Sequence, residues 1–70
     1  MAATQEQKTG VIDTFYDEDT GAIKENGDGI LREFYHKGAK AQFVIGETVT
    51  YLIVITPNGK VIVKDIKKPN

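Results

Sequence analysis

The chain has 70 residues, nine Lys or Arg against ten Asp or Glu, a net charge of −1 and no cysteine. That length makes one small domain, near the lower limit for a core that stands alone. The composition excludes disulfide staples and thiolate chemistry, and the charge excludes a domain that holds nucleic acid by bulk electrostatics.

The first eight residues, Met1 to Lys8, are polar and lack the apolar segment of a secretory signal, so they are expected to be a disordered tail. No apolar run approaches the roughly 20 residues of a membrane span. A cytoplasmic protein is expected, with no membrane contact. The first strand is expected from Gly10 to Tyr16, with Val11, Asp13 and Phe15 alternating against Ile12, Thr14 and Tyr16. Asp17 to Gly21 reads as an acidic, solvated loop. Its carboxylates invite a calcium site, but the glycine falls one position early and no bidentate Glu follows in register, so no metal is expected.

A short second strand, Ala22 to Glu25, precedes Asn26-Gly27-Asp28-Gly29, whose residues tolerate positive φ and mark a hairpin turn. The third strand, Ile30 to Lys37, places Arg32, Phe34 and His36 on one face and Leu31, Glu33 and Tyr35 on the other. An irregular link, Gly38 to Phe43, leads to the longest strand, Thr48 to Thr56. There Val49, Tyr51, Ile53 and Ile55 form the core face. Pro57-Asn58-Gly59 is a strong turn signal, the last strand runs from Lys60 to Ile66, and residues 67–70 form a polar tail.

Short β-type segments, no helical apolar stripe and glycine-bearing turns predict an all-β fold, a small antiparallel barrel of five strands. Closure also removes exposed strand edges. Charge is uneven along the chain: acidic residues dominate from Asp13 to Asp28, whereas Lys60, Lys64, Lys67 and Lys68 make the second half weakly basic. One histidine, no cysteine and no serine leave the common nucleophile arrangements without their residues, so an enzyme is not expected and no cofactor is implied.

Several motifs together resemble a bacterial cold-shock domain over residues 9–66. The family's opening, G-x-V-K-W-F-N, corresponds to Gly10-Val11-Ile12-Asp13-Thr14-Phe15-Tyr16. Its K-G-F-G-F-I corresponds in its last three positions to Gly21-Ala22-Ile23, and V-F-V-H-F to Glu33-Phe34-Tyr35-His36-Lys37. Its G-x-x-V-x-F corresponds to Gly46-Glu47-Thr48-Val49-Thr50-Tyr51. The resemblance implies a five-stranded Greek-key barrel of the oligonucleotide-binding (OB) type that holds single-stranded RNA or DNA on one face. Carried over residue by residue, it implies stacking on Phe15, Phe34 and His36, with Tyr16 and Tyr35 as neighbours. Phosphate contacts would come from Lys24, Arg32 and Lys37. Thr14, Ala22 and Lys37 stand where the family has aromatics, which implies loose binding with little sequence preference.

The outward face of the fourth strand supports a rival from another class. Leu52 and Val54, joined by Ile62, form an apolar patch suited to a second copy of the chain or a protein partner.

Overall fold

The computed structural model describes residues 4–69. Five antiparallel strands curl into a half-barrel: β1 (Thr4–Phe15), β2 (Thr20–Glu25), β3 (Leu31–Tyr35), β4 (Thr48–Ile55) and β5 (Val61–Lys67), in the order β3-β2-β1-β4-β5. A short helix, α1 (Ala39–Gln42), stands between β3 and β4. The two end strands, β3 and β5, approach within 8 Å between Cα atoms without forming a ladder among the described residues.

β1 organises the sheet. Thr4 through Val11 pair with β4, and Gly10 through Phe15 pair with β2. The expected N-terminal tail is therefore corrected over residues 4–8, which are paired backbone; the rest of it lies outside the described residues. A polar sequence joins a strand here because its partner β4 supplies the apolar residues and the hydrogen bonds. Gly10 marks the exchange of partners. A Cβ at this position would lie 2.5 Å from the Lys24 carbonyl oxygen, so only glycine lets β1 and β2 close up.

The core consists of Ile12, Ile23, Phe34, Ala39, Phe43, Val49, Tyr51, Ile53, Val63 and Ile66, with Phe15 packed against it. On β4 the alternation expected from the sequence holds for Val49, Tyr51 and Ile53, while Ile55 is exposed at the strand end. On β1 and β5 it breaks, because each strand carries an irregularity. The register shifts between Ile12 and Thr14, which puts Ile12 and Phe15, three apart, on the same side. Around Asp65, whose φ is 55°, β5 shifts in the same way, and Val63 and Ile66 both turn inward. An extra residue in one strand reverses the alternation beyond it, and aspartate tolerates the left-handed conformation better than most residues.

The β1–β2 loop is exposed at Asp17 and Glu18, as expected of an acidic, solvated loop, and it also acts as a clamp. Asp17 Oδ1 accepts from the amides of Asp19 and Thr20, each at 2.9 Å. The Asp19 carboxylate accepts from the Gly38 amide at 2.8 Å, and its carbonyl from the His36 amide at 2.8 Å. The Glu18 carbonyl accepts from the Lys40 amide at 3.0 Å. The loop thus ties the β1–β2 turn to the start of α1.

Hydrogen bonds to the charged form hold the Asp17 carboxyl below the ordinary aspartate value of 3.8, the Asp19 amide contributing most. Asp28 is lowered too, chiefly by the Ile30 amide. A carboxyl whose folded pKa is depressed stabilises the fold above its unfolded pKa, and that contribution is lost as pH falls through the folded value. The expected result is an acid limb of stability that begins near 3.8 and runs below it, flattened in Asp17→Ala. Urea midpoints measured from pH 6 to pH 2 test this, and an unchanged limb in the variant would refute it.

Candidate functional site

The half-barrel has an outward face on β1, β2 and β3 whose composition follows from register. Val11, Lys24 and Leu31 form one cross-strand row, and Thr14, Ala22 and Glu33 form the next. Thr20 and Tyr35 are paired, and the Tyr16 amide donates to the Thr20 carbonyl at 2.9 Å, extending that third row to the end of β1. Facing pairs in a ladder share a side of the sheet. The outward aromatics are therefore Tyr16 and Tyr35, 57 % and 65 % exposed.

Tyr16 has a fixed orientation. Its hydroxyl donates to Glu33 Oε2 on β3 at 3.1 Å. A side chain rooted beyond β1 that reaches β3 must cross β2, and the β2 residue paired with Glu33 is Ala22. Ala22 faces outward yet is 1 % exposed, which its place beneath such a crossing side chain explains. The hydrogen bond draws the Tyr16 side chain from the end of β1 toward β3. The Glu33 hydrogen bond, ahead of burial and charge, raises the Tyr16 pKa above 10.0, so the phenol remains a donor.

The residues expected to stack are arranged differently. Phe34 is 5 % exposed and belongs to the core; this corrects its expected place on the binding surface. The cause lies in β2. Phe34 pairs with Gly21, where a Cβ would sit 3.0 Å from the Phe34 ring and 2.3 Å from the Thr14 carbonyl oxygen. The missing side chain gives the ring its space inside. Phe15 is corrected likewise: it meets Phe34 edge to face, centroids 6.4 Å apart, and is half-buried against the core.

Arg32 shares the inward side with Phe34, and its Nε donates to Glu25 Oε1 at 3.3 Å. The same oxygen accepts from the Tyr51 hydroxyl at 3.2 Å. Arg32 is therefore a partner of a buried carboxylate, which corrects its expected role toward phosphate. Lys24 is exposed on the outward face, and Lys37, in the turn beyond the end of β3, is exposed as well. His36 is half-buried, with Nε2 3.4 Å from Gln42 Oε1 and its ring edge-on to Phe43 at 5.5 Å.

Leu52 and Val54 face outward and are half-buried, and Val54 pairs with the exposed Ile62. Gln5 pairs with Val54, and Gln7 and Lys64 flank Leu52, so the apolar patch is narrow and rimmed by polar side chains. Two hollows lie beside β5. One of about 430 Å³ is lined by Tyr16, Leu31, Arg32, Glu33, Val61 and Val63. The other, about 550 Å³, brings His36 beside Leu52, Asp65 and Lys67. Among the described residues, no group of three His, Cys, Asp or Glu side chains is placed to hold a metal ion.

The structure thus leaves Lys24 and Lys37 exposed, half-buries His36 beside Leu52 and Asp65, and withdraws Phe15, Phe34 and Arg32 from the outward face. The aromatics exposed on that face are Tyr16 and Tyr35. Their signal in the sequence is the Leu31-Glu33-Tyr35 alternation, opposite in phase to the row that holds the histidine. No family model, curated protein or solved structure matches the chain.

Proposed function

We propose that this chain is a Greek-key barrel of the OB, cold-shock type that binds single-stranded RNA or DNA loosely through its outward β1–β2–β3 face. The observation that carries this reading is the pair of exposed tyrosines on one row, with the Tyr16 hydroxyl bonded to Glu33 on β3. Three hairpin-linked strands followed by a fourth returning beside the first is the Greek-key order, and the order β3-β2-β1-β4-β5 supports it. Each base stacked on an aromatic ring contributes about 1–3 kcal/mol and is tolerant of sequence. The two side chains are rooted about two strand spacings apart, or roughly 10 Å, and Tyr16 reaches back toward β3, which suits a short stretch of single strand. Lys24 and Lys37 supply phosphate contacts. Glu33 is engaged by the Tyr16 hydroxyl, and the acidic β1–β2 loop limits the footprint on its side.

The test is a titration of the full chain with fluorescein-labelled heptathymidine and heptauridine, read by anisotropy and by amide chemical shifts. Binding that moves the Tyr16 and Tyr35 amides and weakens with salt, through release of counterions, is the expected result. No shift on that face at millimolar oligonucleotide sinks the reading.

The outward Val54–Ile62 pair favours a second reading, a docking surface for a second copy or a protein partner. A concentration-dependent sedimentation coefficient abolished by Leu52→Lys would establish it.

A further inference from the structure

We infer that the hollow beside the irregularity of β5 is a base pocket that takes guanine. This rests on the single-strand reading above and adds to it a position that selects one base. The hollow, about 550 Å³, is lined among others by Gln7, His36, Leu52, Asp65, Ile66 and Lys67. That volume suits a small planar ligand. Leu52 and Ile66 supply apolar contact for a ring. His36 immediately follows Tyr35 in the chain, so a strand stacked on Tyr35 reaches the hollow by passing over the edge strand β3.

The selectivity follows from Asp65. The shift in β5 register holds this residue at a φ of 55°, where it lines the hollow between the ladder positions of Lys64 and Lys67. An ionised carboxylate only accepts hydrogen bonds, and it does so with two oxygens. Guanine alone presents two adjacent donors, N1–H and the N2 amino group, on its pairing edge. Uracil, cytosine and adenine each set an acceptor beside a donor there, which turns a lone pair toward the carboxylate. Gln7 can serve the remaining edge as donor or acceptor. Lys67, which also lines the hollow, provides the charge that a nucleotide phosphate needs. The occupant that matches a carboxylate and a lysine lining one hollow is a guanine nucleotide within a single strand.

The experiment uses the isotope-labelled full chain with GMP and with UMP, followed by heptathymidine and the same heptamer with guanine at its centre. GMP is expected to move the amides of Leu52, Asp65, Ile66 and Lys67 well before UMP does. The guanine heptamer should bind about tenfold tighter, the scale of one good bidentate base contact. Asp65→Asn preserves size and suits left-handed backbone, so it should fold as the parent does, and it should bring the two heptamers to equal affinity. Equal shifts by GMP and UMP, or a guanine preference that survives Asp65→Asn, overturns the pocket. If heptathymidine moves Tyr35 while GMP leaves Asp65 unmoved, the pocket falls and the stacking face stands. If GMP moves the hollow while heptathymidine leaves Tyr35 unmoved, the stacking face falls and the pocket stands as a mononucleotide site.

Discussion

Glu25→Ala is expected to destabilise the fold by about 3 kcal/mol, the lower end of the range for breaking a buried ion pair. Glu25 is 4 % exposed, at the end of β2, and one of its oxygens accepts from both Tyr51 and Arg32. Alanine leaves the Arg32 guanidinium on the inward side without its carboxylate and the Tyr51 hydroxyl without its acceptor. Arg32 retains some access to water, its side chain being 24 % exposed, which keeps the loss from reaching the upper end of that range. Small domains hold only about 5 kcal/mol in total, so most of the stability goes. Glu25→Gln keeps an oxygen acceptor and is expected to cost about 1 kcal/mol.

The direction of the Tyr51 pKa offers an independent measurement. Burial, then the Glu25 charge and hydrogen bond, push it far above the ordinary tyrosine value. Of the three tyrosines, Tyr51 should therefore resist alkaline ionisation longest in an absorbance titration. Glu25→Gln should bring its transition down. Replacing the whole group with Glu25→Leu, Arg32→Met and Tyr51→Phe should restore much of the stability, since apolar substitutes often match a buried ion pair. Urea midpoints decide the matter: a Glu25→Ala variant within 1 kcal/mol of the parent would refute the account.

β4 was legible in the sequence because it lies between two paired strands, so period-two alternation survives through Val49, Tyr51 and Ile53 and lapses only at Ile55, at the strand end. β1 and β5 were legible as strands but not as faces. One extra residue near Asp13 and another near Asp65 reverse which side the following residues take, and nothing in the local pattern marks an inserted residue. The acidic β1–β2 loop is exposed as its charge suggests, but its hydrogen bonds from Gly38 and Lys40, far along the chain, are not visible in the sequence. Residues 4–8 read as a tail for the same reason: their pairing is specified by β4, not by their own polarity.

The face of β3 was the costliest ambiguity for the site. Leu31, Glu33 and Tyr35 are about as apolar as Arg32, Phe34 and His36, so composition alone cannot choose which row is buried. The choice is made across the strand gap, by Gly21 opposite Phe34. Ala22 is legible only as the loss of an aromatic; that Tyr16 covers the same spot depends on the contact with Glu33 on a third strand.

Two adjacent aromatics on β3 should therefore respond to substitution in opposite ways. Phe34→Ala empties a core position packed against Phe15, and large-to-small changes of this kind cost about 3–5 kcal/mol. The variant is expected to be largely unfolded, and any loss of oligonucleotide binding would follow from that. Tyr35→Ala removes a side chain that is 65 % exposed, so stability should change by less than about 1 kcal/mol. Affinity for heptathymidine should nevertheless fall by about tenfold, one stacked base. Phe34→Leu separates fold from surface, because it keeps apolar volume and allows the barrel to form. If Phe34→Leu folds and binds as the parent does while Tyr35→Ala folds and binds weakly, the outward tyrosines meet the bases. If the folded Phe34→Leu variant is the one that loses affinity, the ligand reaches the inward row, and the half-barrel would have to open between β3 and β5 to admit it.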